Sequence, residues 1–231
     1  MSISGAESAP YLAATPILDH DHPRVLALAA EAREAGAAGR GLLVAAHRLI
    51  AARVRPVYAL DDEQPASRTL RRARGSCSQR LAVLEAVSRA CGIPTRVRGL
   101  LVDGRFWHAR FPLLRPAVPD LVVLAWPEFR PADGWLPVSE LYGDLDTLRE
   151  ATPFTNTGAE TLFDAVARTA VDWDGGGCAA CDLSGHVRAD LGRYVSRDAL
   201  FLEHGQTVCR PVRFAVDPVM SRYAASAGKA N

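Results

Sequence analysis

The stretch from Ser76 to Cys91 constrains the fold of this 231-residue chain more than any other. Leu81, Ala82, Val83, Leu84, Val87 and Ala90 spread apolar surface around much of a helix circumference. A helix of that kind belongs in the middle of a fold, because no orientation at the surface would bury it. Gly92 is suited to the position just past the helix end, and Pro94 prevents the helix from resuming. The remaining elements must therefore be arranged around this one.

Upstream, Asp21–Glu34 reads as a helix that Asp21 can cap, with Pro23 in its first turn and Val25, Leu26, Leu28, Ala29 and Ala32 on one face. Gly36–Gly41 breaks it. A second helix runs from about Leu42 to Val54, and Pro56–Ser67 reads as loop from its Pro and Asp content. Downstream, Thr95–Val102, Arg105–Leu113 and Leu121–Phe129 read as strands. Asp103-Gly104 is read as the hairpin turn between the first two, and Gly134–Val138 as a shorter fourth strand. Glu160–Thr169 and Ser196–Glu203 read as helices, the latter capped by Ser196. The fold class expected is α+β, a central helix packed on an antiparallel sheet. A single domain is expected over residues 11–224, between flexible tails at 1–10 and 225–231.

The formal net charge is +1, and 26 of the 27 basic residues are Arg, Lys229 being the exception. That balance argues against nucleic acid or an anionic membrane as partner, since both need concentrated positive charge. With abundant Ala, Gly and Val, the Arg bias suggests a GC-rich bacterial coding sequence. No run approaches the roughly 20 apolar residues of a membrane span, and Met1–Pro10 lacks the pattern of a signal peptide. The five cysteines, an odd number, fit free thiols in a reducing cytoplasm. Cys178 and Cys181, with His186, His204 and Cys209 nearby, offer half of a zinc site, but no matching second pair exists. No phosphate-binding loop is present, and neither a metal nor a cofactor is expected.

Gly75-Ser76-Cys77 puts a thiol at the first turn of the central helix, where unpaired N–H groups and the helix dipole favour thiolate. Gly75-x-Cys77, a helix, and then Gly92-Ile93-Pro94-Thr95-Arg96 leading into a strand resemble the transglutaminase-like (papain-like) superfamily. Leu18-Asp19-His20-Asp21-His22-Pro23, Pro65-Ala66-Ser67 and the segment Gly192–Gly205 are similar to short bacterial members. The resemblance implies a Cys–His–Asp site with Cys77 as nucleophile. Its histidine slot falls on Leu124, or on Asp120 at the head of that strand, and its aspartate slot on Ser139 with Glu140 beside it. The first slot holds no histidine and the second no aspartate, so the usual proton shuttle is missing.

Asp120 is the candidate replacement base, and as a carboxylate it would keep a neighbouring Cys77 as neutral thiol. His108, in Phe106-Trp107-His108-Ala109, is the candidate that would restore an ordinary mechanism. Trp107, Trp126, Glu128, Ser139 and Glu140 are the candidate substrate-binding residues. The function expected is carbon–nitrogen bond formation on a small amine-bearing substrate, free or carrier-protein-bound, by acyl transfer or cyclisation in bacterial specialised metabolism. The alternatives are a conventional cysteine hydrolase or transamidase and a non-catalytic subunit of a complex.

Overall fold

The computed structural model describes residues 8–35, 38–112, 115–157, 160–175, 182–208, 213, 217–218 and 220–222. Its centre is α4 (Cys77–Ala90), preceded by α1 (Pro23–Glu34), α2 (Arg40–Arg53), the parallel two-residue strands β1 (Arg55–Pro56) and β2 (Arg74–Gly75), and α3 (Ala66–Arg72) between those strands. Leu81 to Val87 on α4 are buried throughout, as their all-round apolar pattern requires. Val25, Leu28 and Ala29 of α1 and Leu43, Ala46 and Ile50 of α2 join the same core. His22, not Asp21, caps α1, its Nδ1 accepting from Arg24 N–H. Helix α4 ends at Gly92, which takes φ +78°, a conformation other residues pay to adopt.

β3 (Thr95–Asp103) follows at once and pairs antiparallel with β4 (Leu121–Phe129) and β6 (Val187–Tyr194). With β5 (Leu136–Pro137) the sheet order is β5-β4-β3-β6. Register places Arg96 and Arg98 on one face opposite Glu128 and Trp126. The other face carries Gly99, where a Cβ would lie 2.6 Å from Leu200 Cδ1 of α7 (Arg197–His204), so α7 covers that side. The single-turn helices Leu145–Leu148 (α5) and Leu162–Ala165 (α6) lie between β5 and β6 in the chain. The chain is thus α+β, with an antiparallel sheet beside a buried helix.

Two expectations about the sheet fail. Arg105–Pro112 is not a strand: Gly104–Trp107 is a 3₁₀ helix capped by Asp103, and a second 3₁₀ helix, Arg115–Ala117, precedes β4; Leu113 lies outside the described residues. Asp103-Gly104 is accordingly not a hairpin turn. Gly104 is needed for a close approach instead, because a Cβ there would fall 1.8 Å from Pro119 O. The other strand paired with β3 is β6, whose Arg188, Asp190, Gly192 and Arg193 gave no strand-like pattern. Gly104→Ala should therefore cost about 2–3 kcal/mol in urea unfolding, since backbone must move to admit one methyl. A loss below about 0.5 kcal/mol would contradict this packing.

The helix expected over Glu160–Thr169 is a single α-turn, α6. No helix among the described residues is long and apolar enough to cross a membrane. Cys178 and Cys181 lie outside the described residues.

Candidate active site

Cys77 is the first residue of α4, and its surroundings follow from three neighbours in sequence. Ser76 caps the helix by accepting from Gln79 N–H, and Gln79 Oε1 accepts in return from Ser76 N–H, both at 3.2 Å. Gly75 must be glycine, since a Cβ there would sit 2.8 Å from the buried Thr69 Cγ2. Gln79 then does a second job. Its Nε2 donates to Asp61 O at 2.7 Å, tying the loop before α3 to the start of α4. The loop is held from the far side by Asp62 N–H to Gln206 Oε1 at 2.9 Å and Leu60 N–H to Asp217 Oδ1 at 2.7 Å.

These ties bring Asp62 to Cys77. The Cys77 thiol is pushed up to about 11, first by burial and then by the negative charge of Asp62, with Asp164 adding to it and Arg80 and Arg110 opposing. A thiol raised this far stays protonated at pH 7. The Asp62 carboxyl is itself pushed up to about 6 by burial, against the Ser78 hydroxyl, Arg197 and Arg213, which lower it, and Asp61, which raises it further. The carboxylate whose charge acts on Cys77 is Asp62; the expectation had named Asp120 for that part.

Asp120 is exposed at the head of β4, where its carbonyl accepts from Gly104 N–H. His108 follows the 3₁₀ turn, its N–H donating to Arg105 O, so it does not alternate with Trp107 along a strand. Trp107 packs against the core beside Phe106, the ring centroids 4.6 Å apart. Leu124, in the histidine slot, is a buried core residue. His47 is buried as a neutral imidazole pushed down to about 4, its ring nitrogens on Phe163 O and Tyr142 Oη.

Trp126, Glu128, Ser139 and Glu140 do come together, lining a cleft of about 180 Å³ with Arg96, Arg98 and Trp135. Arg96 stacks 4.1 Å from the Trp135 ring centroid and donates to Glu128 Oε2 at 2.5 Å, and Arg193 shares that carboxylate. Cys77 is not among the residues lining this cleft. Among the described residues no group of three His, Cys, Asp or Glu is placed to hold a metal ion.

Behind Asp62 lies a buried ion pair. Arg197 Nε donates to Glu85 Oε1 at 2.5 Å, and both side chains are fully buried. Arg197 Nη1 donates to Ser78 Oγ at 2.9 Å and Nη2 to Ala125 O at 3.4 Å. Neither Asp62 nor Arg197 was singled out by sequence. Asp62 sits in a stretch legible only as loop, and Arg197 lies 119 residues from Ser78. The segment around Arg197, Gly192–Gly205, was visible, but the role of its buried arginine was not.

Neither curated proteins nor solved structures give a match to the chain. The family model for the transglutaminase-like superfamily does match, over residues 30–139, from within α1 through α4, β3 and β4 to Ser139. Over those residues, with a cysteine at the start of its central helix and an antiparallel sheet following, the chain is similar to the transglutaminase-like superfamily.

Proposed function

We propose that this protein is an enzyme that forms a carbon–nitrogen bond on a small amine-bearing substrate by acyl transfer, as a tailoring step in bacterial specialised metabolism. Cys77 is the acyl acceptor and Asp62 the proton carrier. The observation that carries this reading is the half-buried Asp62 carboxyl, raised to about 6 beside a thiol raised to about 11. A carboxyl near 6 is a better acid and base at neutral pH than an ordinary one near 4. With the thiol held well above the carboxyl, little thiolate is present before substrate arrives, so proton transfer to Asp62 accompanies attack by sulfur.

The cycle balances with one carboxylate. Cys77 Sγ attacks the acyl carbonyl while its proton passes to Asp62. The leaving group departs with that proton, giving a thioester on Cys77. The amine then attacks the thioester carbonyl and gives its proton to Asp62, which returns it to the departing Cys77 sulfur. An amide and a free thiol result.

The height of the Cys77 thiol also favours a second reading, in which Asp62 takes a proton directly from the substrate amine and ring closure proceeds without a bond to sulfur. Acid-quenched single turnovers with an acyl thioester and a panel of amines, followed by intact mass, separate the two. Acyl transfer requires an acyl adduct on Cys77 and loss of product in Cys77→Ala. Direct closure leaves product in that variant and no adduct. Asp62→Asn should lower turnover by about 10²-fold or more in either case. Unchanged turnover in Asp62→Asn would overturn the proposal, and so would an absence of any C–N product from the wild type.

A further inference from the structure

Arg197 and Glu85 make a fully buried ion pair that the chemistry above does not use. Such a pair is costly to desolvate and is often no more stabilising than apolar side chains of the same volume. Glu85 Oε2 is moreover buried with no hydrogen-bond partner among the described groups. A half-satisfied carboxylate of this kind needs a reason, because burial without a partner costs free energy. The reason lies in what the other end of the guanidinium touches.

We infer that Arg197 is a positioning residue for Asp62, acting through the Ser78 hydroxyl, so that α7 fixes the proton carrier beside Cys77. The inference rests on the reading of Asp62 given above. The hydrogen-bond inventory sets the direction of the chain. Arginine can only donate, so its Nη1–H enters a lone pair of Ser78 Oγ at 2.9 Å. The single hydroxyl proton of Ser78 is thereby left to turn toward the Asp62 carboxylate, whose proton affinity Ser78 lowers. The guanidinium itself is clamped, with Nε on Glu85 Oε1 and Nη2 on Ala125 O of β4. A planar fork held at three points has one orientation, and Ser78 inherits it.

This gives Asp62 what the aspartate of a triad gives its histidine: a fixed direction for the lone pair that receives the proton. The other charged and titratable groups around the pair are Asp61 and Arg213 near Asp62, and Arg80, Arg110 and Asp164 near Cys77. None of these comes from α7. That helix reaches the carboxylate by way of Arg197 and Ser78.

The test is a titration of the Asp62 side-chain carboxyl by carbon-13 NMR in the full chain. It compares wild type, Ser78→Ala, Ser78→Thr, and a double variant with Glu85→Leu and Arg197→Met. The double variant removes both buried charges together, so neither is left unpaired. Loss of the hydroxyl, or of the cation behind it, should raise the Asp62 midpoint by about half a pH unit or more, roughly threefold in its ionisation ratio. Ser78→Thr, which restores a hydroxyl, should return the midpoint toward wild type. A midpoint unmoved in Ser78→Ala overturns the inference, whether or not the double variant folds. The titration needs no substrate. If the enzyme reading fails, the midpoint still moves, and if the inference fails alone, Asp62→Asn still loses turnover while the midpoint stays put.

Discussion

Replacing Arg197 by alanine should lower stability by about 3–5 kcal/mol, because it strands the Glu85 carboxylate in a fully buried site. Glu85 is already pushed up by burial, and Arg197 is what chiefly holds it down. Without the guanidinium, the carboxyl must bind a proton or remain as an unpaired charge. The single variant also removes the guanidinium donors to Ser78 Oγ and Ala125 O. Replacing both residues by apolar side chains of similar volume should cost less than about 1 kcal/mol, since no charge is then left behind. Urea unfolding of the two singles and the double gives the coupling directly, provided the slope with denaturant is unchanged. A single variant that loses no more than a typical surface substitution, about 0.5 kcal/mol, would show that the pair is solvated and not buried.

How far the sequence reaches can be judged from these same residues. Helix α4 was legible because its apolar residues leave no polar face and because Gly92 and Pro94 mark its end. β3 and β4 were legible from their Val and Leu content, and each is mostly buried over nine residues. β6 was not: it lies at the edge of the sheet and carries Arg188, Asp190, Gly192 and Arg193, a composition that reads as loop. The false strand at Arg105 came from treating Asp103-Gly104 as a turn, when that glycine answers a contact with Pro119 O fifteen residues further along the chain. Position 104 looks the same in sequence under either cause.

The candidate site divides in the same way. Cys77 was visible from local signals, the cap at Ser76 and the glycine before it. The carboxylate beside it was anticipated as a charge but assigned to Asp120, by position along a strand. Asp62 reaches the thiol through Gln79 and Gln206, contacts that no local spacing encodes. The one usable hint was the pairing of Ser76 with Gln79 as a capping box, which fixes where the Gln79 amide points.

Asp62→Asn should make the protein more stable at pH 7 while lowering its turnover by about 10²-fold or more. The folded-state carboxyl, at about 6, lies above the ordinary value near 4, so between those pH values the native state holds more protons than the unfolded chain. Stability owed to this group therefore falls as pH rises from about 4 to about 6 and stays reduced above. The shift corresponds to about 1–3 kcal/mol of penalty at neutral pH. Asparagine removes that penalty and still accepts a hydrogen bond from Ser78. The difference in unfolding free energy between variant and wild type should be near zero below about pH 4 and reach its full positive value above about pH 6.

The same substitution removes a negative charge from beside Cys77, so iodoacetamide should label that thiol about 3–10-fold faster at pH 7. The gain is bounded because burial, the larger cause, remains. A variant that gains stability and thiol reactivity but loses turnover would mark Asp62 as a group kept ionisable at a cost to the fold. Equal or lower stability at pH 7, with unchanged labelling, would place the Asp62 carboxylate in solvent and away from the thiol.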